Sequence, residues 1–345
     1  MYKLLASISL LLFALSGQAG NSSAKGGRLI LATYWGDDKV ALIDLQGEPG
    51  KEEIWTLDTL KAVGCAKPYD VRANKKGDEA WVSCSGTNQI ALIDIVAQQV
   101  KATVRTGSSP RDLVYFDNDT KLIVANSGDD TVSVVDAVKR VKLYDFPVST
   151  QPYGVAVSAD GKTAMVTGWA SGDLHIVRLG ATSATVLGKV DIGLLPYTVI
   201  APGDGKTAYV AAAGSHIVAA VDTEKVALVS RTRVGRNPWS LAASPLGDQI
   251  LVTNNRSNNL SLLKTGLAPL AAVDNAPFIS AGSQLMSNGD EVKRAAKNAS
   301  ISSDGQSAVF TDLANNQIVV LDLKTRSIKK VINVGKAPYG IEYIR

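Results

Sequence analysis

Seven side chains that follow a recurring proline, or the position equivalent to it, have the clearest capacity for chemistry. They are Tyr69, Arg111, Tyr153, Tyr197, Trp239, Lys297 and Tyr339. Four of the six intervals between them are 42 residues long, so a repeated structural unit presents them. Aromatic rings together with cations suit anionic ligands or ligands with a π-face, and aromatic side chains also anchor protein partners.

A packing role is the alternative for these seven residues. One repeated structural role explains five similar aromatic residues simply, and this favours rings that wedge together and close a surface. Arg111 and Lys297 fit that role less well, because charged side chains are rarely buried without a partner. The next residue in two copies, Asp70 and Asp112, is expected to neutralise these cations.

Metal, haem and nucleophile chemistry receive little support elsewhere in the sequence. His175 and His216 are the only histidines, which is too few for a histidine-rich zinc or copper centre. The sequence lacks a haem-attachment motif, a nucleophile elbow and a phosphate-binding glycine-rich loop. We therefore expect no metal and no cofactor, and the catalytic residues, if any, are unknown.

The elements that position the seven residues recur with fixed spacing. A proline, or its replacement, lies 14 residues before an apolar residue, and a strand end follows 12 residues later. The complete copies are Pro68, Val82, Asp94; Pro110, Val124, Asp136; Pro152, Val166, Arg178; Pro196, Val210, Asp222; Pro238, Val252, Lys264; and Ala296, Phe310, Asp322. A seventh copy is split, with Pro338 near the C-terminus and Leu31 and Asp44 near the N-terminus. This period predicts an all-β, seven-bladed β-propeller with four antiparallel strands per blade, closed by the C-terminal strand joining the N-terminal blade.

Within each unit, turn residues separate short apolar strands. Asp160-Gly161 is typical of the tight turn between the first and second strands. The proline lacks an N–H group, so it fits the start of an innermost edge strand that lines the channel. The recurring aspartates at the end of the third strand are expected to cap turns rather than form a carboxylate site.

Three recurring motifs together resemble the YVTN-type β-propeller repeat of exported bacterial and archaeal proteins. They are Gly-Lys-Thr-Ala-x-Val, a third strand ending in Ile/Val-Asp, and Val-Gly-x-x-Pro. The resemblance covers about residues 28–345. It implies a propeller fold, but the family includes surface-layer proteins, periplasmic binding proteins, lactonase relatives and quinoprotein dehydrogenase subunits. An enzyme, or the propeller subunit of one, is therefore an alternative to a binding module, and a structural cell-surface propeller is another.

Departures from the repeat indicate where a specific function would lie. The link from the third-strand end to the next proline is 16 residues in four copies but 24 before Pro68 and 32 before Ala296. The longest link contains an insertion at 265–290, and long connections often carry function. A tolerated surface elaboration explains it equally well, because long loops close at little entropic cost.

The N-terminus resembles a secretory signal. Lys3 precedes the apolar stretch Leu4 to Leu15, and Gly17-Gln18-Ala19 supplies small residues for cleavage. We expect a signal peptide at 1–19, a flexible segment at 20–27 and the propeller at 28–345, with blade 1 split between 28–60 and 335–345. We also expect a periplasmic or secreted bacterial protein with no membrane span after signal removal.

Two cysteines, Cys65 and Cys84, lie at the same end of one predicted hairpin. An even cysteine count in an exported protein favours a disulfide, and two unpaired thiols are the alternative.

The sequence as a whole favours an exported, monomeric binding or interaction protein over an enzyme, and leaves enzymatic activity open. Its expected site is the channel mouth carrying the seven residues, and its partner a cell-envelope protein or a small ligand. Single-stranded nucleic acid is a less favoured partner, because the net charge is only +4.

Overall fold

A computed structural model describes residues 29–46, 52–148, 150–257, 259–265, 279–280 and 295–344. The predicted signal peptide at 1–19, the segment at 20–27 and most of the insertion at 265–290 lie outside the described residues. None of the helices in these ranges has the length and apolar character needed to cross a bilayer.

Seven four-stranded antiparallel sheets form the fold, as predicted. Blade 1 combines β1 (Leu29–Tyr34), β2 (Lys39–Asp44) and β3 (Ile54–Leu57) with the last strand, β28 (Pro338–Tyr343). Blade 2 consists of β4 (Pro68–Ala73), β5 (Glu79–Cys84), β6 (Gln89–Asp94) and β7 (Gln99–Arg105). Blade 3 consists of β8 (Pro110–Phe116), β9 (Lys121–Asn126), β10 (Thr131–Asp136) and β11 (Val141–Pro147). Blade 4 consists of β12 (Pro152–Val157), β13 (Thr163–Gly168), β14 (Asp173–Leu179) and β15 (Ala184–Asp191).

The remaining blades repeat this order. Blade 5 consists of β16 (Pro196–Ile200), β17 (Thr207–Ala212), β18 (Ile217–Asp222) and β19 (Ala227–Arg233). Blade 6 consists of β20 (Pro238–Ala243), β21 (Gln249–Asn254), β22 (Asn259–Lys264) and the short β23 (Ile279–Ser280). Blade 7 consists of β24 (Ala296–Ile301), β25 (Ser307–Asp312), β26 (Gln317–Asp322) and β27 (Ser327–Asn333).

The ring closes through β28, which pairs with β1 in the register Ile30 to Tyr343 and Leu31 to Glu342. The innermost strand of every blade, including β28, contacts the innermost strands of both neighbouring blades. The prediction that the C-terminal strand completes the N-terminal blade is therefore confirmed. Because β28 pairs with β1, blade 1 has four strands like the other blades, and β1 has no unpaired edge.

The core lies between adjacent blades, because the second and third strands are buried on both faces. Trp81 and Ile90 of blade 2, for example, pack against Leu122 and Val124 of blade 3. Such near-continuous apolar strands bury both sheet faces, as in other stacked repeats.

The long link before blade 2 contains the helix α1 (Thr59–Ala62) and is tied down by a disulfide. Cys65 and Cys84 form this bond across a Cα–Cα distance of 5.1 Å, so the predicted disulfide is confirmed. Leu60 of α1 is fully buried in the same cluster as both cysteines, which fixes the link against blades 1 and 2.

Candidate functional site

A bulge at the start of every innermost strand aims the seven predicted residues into the channel. Pairing with the second strand shifts register between the proline position and the residue three places later in all seven blades. The two residues between them therefore leave the regular ladder, and bulges commonly redirect side chains in this way. The first of the two is the predicted ring position. The second forms another layer deeper in the channel.

The aromatic ring residues pack directly on one another. Ring centroids of Tyr197 and Trp239 lie 3.8 Å apart, and those of Tyr69 and Tyr339 lie 4.3 Å apart. Tyr153 contacts Tyr197 at 5.0 Å and Tyr69 at 6.1 Å, and Trp239 reaches Tyr339 at 6.2 Å. The Tyr69 and Tyr339 hydroxyls share a hydrogen bond of 2.8 Å. The rings thus form one packed cluster, and we call this cluster the aromatic plug.

The two cations complete the aromatic plug by lying against its rings. The guanidinium carbon of Arg111 is 4.7 Å from the centroid of Tyr69 and 5.0 Å from that of Tyr153. Its Nε donates to Ser127 Oγ at 3.0 Å. Lys297 Nζ lies 3.1 Å from the centroid of Trp239, and Lys297 is only 8% exposed. Cation–π contacts therefore stabilise both charges.

The expectation that Asp70 and Asp112 neutralise Arg111 and Lys297 is wrong. Among the described residues, no carboxylate forms an ion pair with either cation. Asp70 and Asp112 belong to the deeper layer of the channel, and both bind Arg72 instead.

Threonines of neighbouring blades hold the backbone of the aromatic plug. Four second-strand threonines donate to the carbonyl oxygen of the ring residue in the next blade: Thr33 to Tyr69, Thr167 to Tyr197, Thr253 to Lys297 and Thr311 to Tyr339. The distances run from 2.6 to 3.1 Å. These buried and partly buried bonds link four of the seven ring positions to the preceding blade, which makes the plug part of the scaffold.

Behind the aromatic plug, the channel encloses a cavity of about 380 Å³. Tyr69, Tyr153, Tyr197 and Trp239 of the aromatic plug form part of its lining. The deeper layer adds Asp70, Asp112, Gly154, Thr198, Ser240 and Asn298. Apolar residues such as Val199 and Leu241 complete the wall. This volume and this mixture of apolar walls with few polar groups lie in the usual range of small-molecule sites.

A cluster of charged side chains occupies one side of the cavity. The Nη1 atom of Arg72 donates to Asp70 Oδ1 at 3.1 Å, and Nη2 donates to Asp112 Oδ1 at 3.2 Å. Glu342 of β28 lies 3.7 Å from the same guanidinium. Asp112 Oδ2 also accepts the backbone N–H of Val155 at 3.2 Å. We call these four side chains the channel cluster.

The pKa of each group in the channel cluster follows from burial and its neighbours. Burial raises the pKa of Asp112 well above its usual range, and the nearby carboxylate of Asp70 raises it further. Burial alone would lower the pKa of Arg72, but the three carboxylates outweigh it and keep the guanidinium charged. The channel cluster therefore holds one permanent cation against three carboxyl groups.

The aromatic plug has different electrostatics. Burial raises the pKa of Tyr197 to about 12, so its hydroxyl stays protonated. Burial lowers the pKa of Lys297 to about 7, because no carboxylate offsets the loss of hydration. Lys297 is consequently the ring residue whose charge changes near neutral pH.

The repeat pattern in the sequence did not indicate three of these residues. Trp169, which directly follows β13, joins the aromatic plug at 6.0 Å from Tyr153 and 6.1 Å from Tyr197. Arg72 and Glu342 occupy the fourth position after the proline, where five blades have Val114, Ala156, Ile200, Ala242 and Ser300. Two opposite charges at an otherwise uncharged inner-strand position are the signal that would have found them.

Other sequence predictions have clear outcomes. The third-strand aspartates cap turns, as Asp136 Oδ1 does for the N–H groups of Val138 and Lys139. His175 and His216 lie apart from the cavity wall. No group of three metal-ligating side chains occurs within the described ranges.

Solved structures match the fold at low sequence identity. A protein of unknown function from Desulfotomaculum acetoxidans has a TM-score of 0.74 at 12% identity, covering 91% of this chain and 98% of the other. A protein provisionally named a 6-phosphogluconolactonase from Bacteroides fragilis has a TM-score of 0.73 at 14% identity, covering 94% and 100%. Hydrazine synthase from Kuenenia stuttgartiensis has a TM-score of 0.66 at 16% identity, covering 79% and 88%. The likeness is one of fold.

The comparison with protein-family models gives no match. None of the curated proteins matches the chain either. The geometry of the aromatic plug, the cavity and the channel cluster is therefore the basis for assigning a function.

Proposed function

We propose that this chain is an exported binding propeller that holds a small molecule in its central channel. The observation that carries the proposal is the cavity of about 380 Å³, whose lining combines rings of the aromatic plug with side chains of the channel cluster. Propeller packing requires neither an inner-strand arginine nor the carboxylates that bind it, and a partly buried cluster of charged groups costs stability unless its geometry is good. Such groups are more typical of a site than of a scaffold.

The proposal gives the predicted ring residues a specific role. Tyr69, Tyr153, Tyr197 and Trp239 form the floor on which a ligand rests, since they line the cavity. Arg111, Lys297 and Tyr339 support that floor from the other side. A ligand then enters from the opposite face, near a second cavity of about 210 Å³ lined by Arg72, Lys75 and Glu342.

Export is the second part of the proposal. The Cys65–Cys84 disulfide is fully formed and buried, which fits an oxidising compartment such as the bacterial periplasm. The signal-like segment at 1–19 points the same way.

A variant with a blocked channel tests the binding function. Ala243 lines the cavity at the end of β20, so Ala243→Trp fills the entrance with a large side chain. Leu246→Trp is the matched control, because Leu246 is 74% exposed on a turn outside the cavity. We expect at least one class in a panel of sugars, amino acids, amines and nucleosides to raise the melting temperature of the wild type and of Leu246→Trp but not of Ala243→Trp. No shift with any class, or equal shifts in all three proteins, contradicts the proposal and supports a structural propeller.

A second candidate is a hydrolase acting in the same cavity. The carboxyls of Asp70 and Asp112 both bind the guanidinium of Arg72, and burial raises the pKa of Asp112, so that carboxyl can supply general acid. Two structural neighbours are provisionally named 6-phosphogluconolactonases, from Bacteroides fragilis and Bacteroides uniformis. The excess of carboxylates in the channel cluster disfavours a phosphorylated substrate, so an uncharged lactone is the better test. Acid release from gluconolactone that is lost in Asp112→Asn supports this candidate, and a rate equal to the uncatalysed one excludes it.

A further inference from the structure

One carboxylate oxygen of the channel cluster lacks a protein donor. Asp70 is 2% exposed and lines the cavity, and its Oδ1 accepts from Arg72. Its Oδ2 receives no hydrogen bond from any described residue. A buried carboxylate oxygen left without a donor is costly, so a site for a donor is built into the wall.

The neighbouring Asp112 supplies one answer for the protein alone. Its carboxyl binds the same guanidinium as Asp70, and burial favours its neutral, protonated form. A proton on Asp112 can then be donated to Asp70, so that the two carboxyls share it. A ligand that brings its own donors can replace that proton.

The charge balance of the cavity favours a cationic donor. Arg72 is the only cation of the channel cluster, and it is already bound by Asp70 and Asp112 with Glu342 close by. Lys297 does not offset the carboxylates, because its ammonium lies on the face of Trp239. Arg111 stacks on the Tyr69 and Tyr153 rings, outside the channel cluster. Within the channel cluster, Asp70 and Glu342 outnumber Arg72 even when Asp112 is protonated, so an anionic ligand is repelled there and a cation is attracted.

An ammonium group fits better than a metal ion. The guanidinium of Arg72 lies between the two aspartates and would repel a dication at the distance of a ligand bond. Within the described part of the chain, no set of three metal-ligating side chains comes together. An ammonium carries three donors and needs only hydrogen-bond distances to the two carboxylates.

Building on the proposed channel function, we propose that the cavity binds a small primary amine, with its ammonium group between Asp70 and Asp112 and its organic body against the aromatic plug. The ammonium donates to Asp70 Oδ2 and to the ionised carboxylate of Asp112. The aromatic floor formed by Tyr153, Tyr197 and Trp239 packs on the apolar part of the ligand.

Binding is coupled to proton release in this account. The proton on Asp112 leaves to solvent when the ammonium arrives, so one positive charge replaces another and the amine itself keeps its three protons. The charged groups facing Asp112 are Asp70 and Arg72 from β4, with Glu342 of β28 beyond Arg72. From β12 it accepts the Val155 N–H. Arg111, next to it on β8, lies against the Tyr69 and Tyr153 rings, and Lys121 of β9 is paired with Asp117.

Three probes of equal size and different charge test the inference: benzylamine, benzyl alcohol and benzoate. Isothermal titration calorimetry at pH 7 compares wild type, Asp70→Asn, Asp112→Asn and Asp58→Asn, the last being a control on a side chain that is 72% exposed. We expect benzylamine to bind wild type and Asp58→Asn at least tenfold more tightly than benzyl alcohol, with no heat from benzoate. Asp70→Asn is expected to lose at least tenfold in affinity for benzylamine. Titrations of wild type in phosphate and in HEPES, neither of which is a primary amine, are expected to show net proton release.

The outcomes separate this inference from the proposed function. Tighter binding of benzyl alcohol or benzoate, abolished by Ala243→Trp, overturns the amine inference and leaves channel binding intact. Benzylamine binding that is unchanged in Ala243→Trp, or no binding of any of the three probes, overturns the amine inference, and the panel tested against Ala243→Trp then decides channel binding separately. If an Asn variant fails to fold, the ranking of the three probes and the proton count on wild type decide the matter. Proton uptake in place of release also contradicts the inference.

Discussion

Replacing Lys297 with methionine should stabilise the protein in a pH-dependent way. Lys297 is 8% exposed, and burial lowers its pKa from 10.5 to about 7. A tenfold change in proton affinity corresponds to about 1.4 kcal/mol, so the burial penalty on the charged lysine approaches roughly 5 kcal/mol. The cation–π contact with Trp239 returns about 2 kcal/mol of this. We therefore expect a net gain of roughly 3 kcal/mol for Lys297→Met where the lysine is charged in both states.

The sign of the pH effect follows from proton binding. Below about pH 7 the lysine is protonated in the folded and unfolded chains, so the wild type carries the full penalty. Between about pH 7 and 10.5 the unfolded chain binds the proton and the folded protein does not, so wild-type stability rises with pH. The advantage of Lys297→Met should therefore be largest near pH 6 and should shrink towards pH 10.

Urea unfolding followed by tryptophan fluorescence at pH 6, 7.5 and 9 measures this difference. Lys324→Met, at an exposed position on the hairpin after β26, is the control and should change stability little at any pH. A Lys297→Met protein that is less stable than wild type by the same amount at all three pH values refutes the reasoning. That result would mean that Lys297 stays charged and well compensated in the fold.

Three further predictions concern the scaffold that holds the site. Replacing Cys65 and Cys84 together with serine should cost about 3 kcal/mol, because the disulfide closes a loop with a sequence separation of 19 residues; a urea midpoint equal to that of wild type contradicts this. Thr253→Val should cost about 1–3 kcal/mol in urea unfolding, since it leaves the Lys297 carbonyl without its donor, whereas Thr120→Val on an exposed turn should cost under about 1 kcal/mol. Deleting residues 336–345 removes β28 and exposes the edge of β1, so the truncated protein should aggregate in size-exclusion chromatography; a monomeric, equally stable product argues against ring closure.

The repeat spacing made most of the scaffold predictable. The proline, the apolar residue 14 positions later and the strand end 12 positions after that mark positions that stacking requires in every blade. The fold and the ring closure through Pro338 therefore followed from the sequence, and so did the convergence of the ring residues. The disulfide followed from the position of Cys65 and Cys84 at one end of a hairpin.

The chemistry of the channel was less accessible, because it depends on which blades meet. Arg72 and Glu342 come from blades 2 and 1, and their side chains meet only across the closed ring. Asp112 was expected to neutralise a ring cation, but the bulge directs it to Arg72 in the next layer. Trp169 lies outside the repeated ring position, so the periodic pattern gave no reason to include it.

The most direct test of the channel site is a crystal structure of the protein grown with benzylamine. The account predicts density for the ligand in the central cavity, with its nitrogen within hydrogen-bond distance of Asp70 and Asp112 and its ring against Tyr197 and Trp239. An empty cavity at saturating benzylamine, or a ligand bound only on the outer surface, would contradict it.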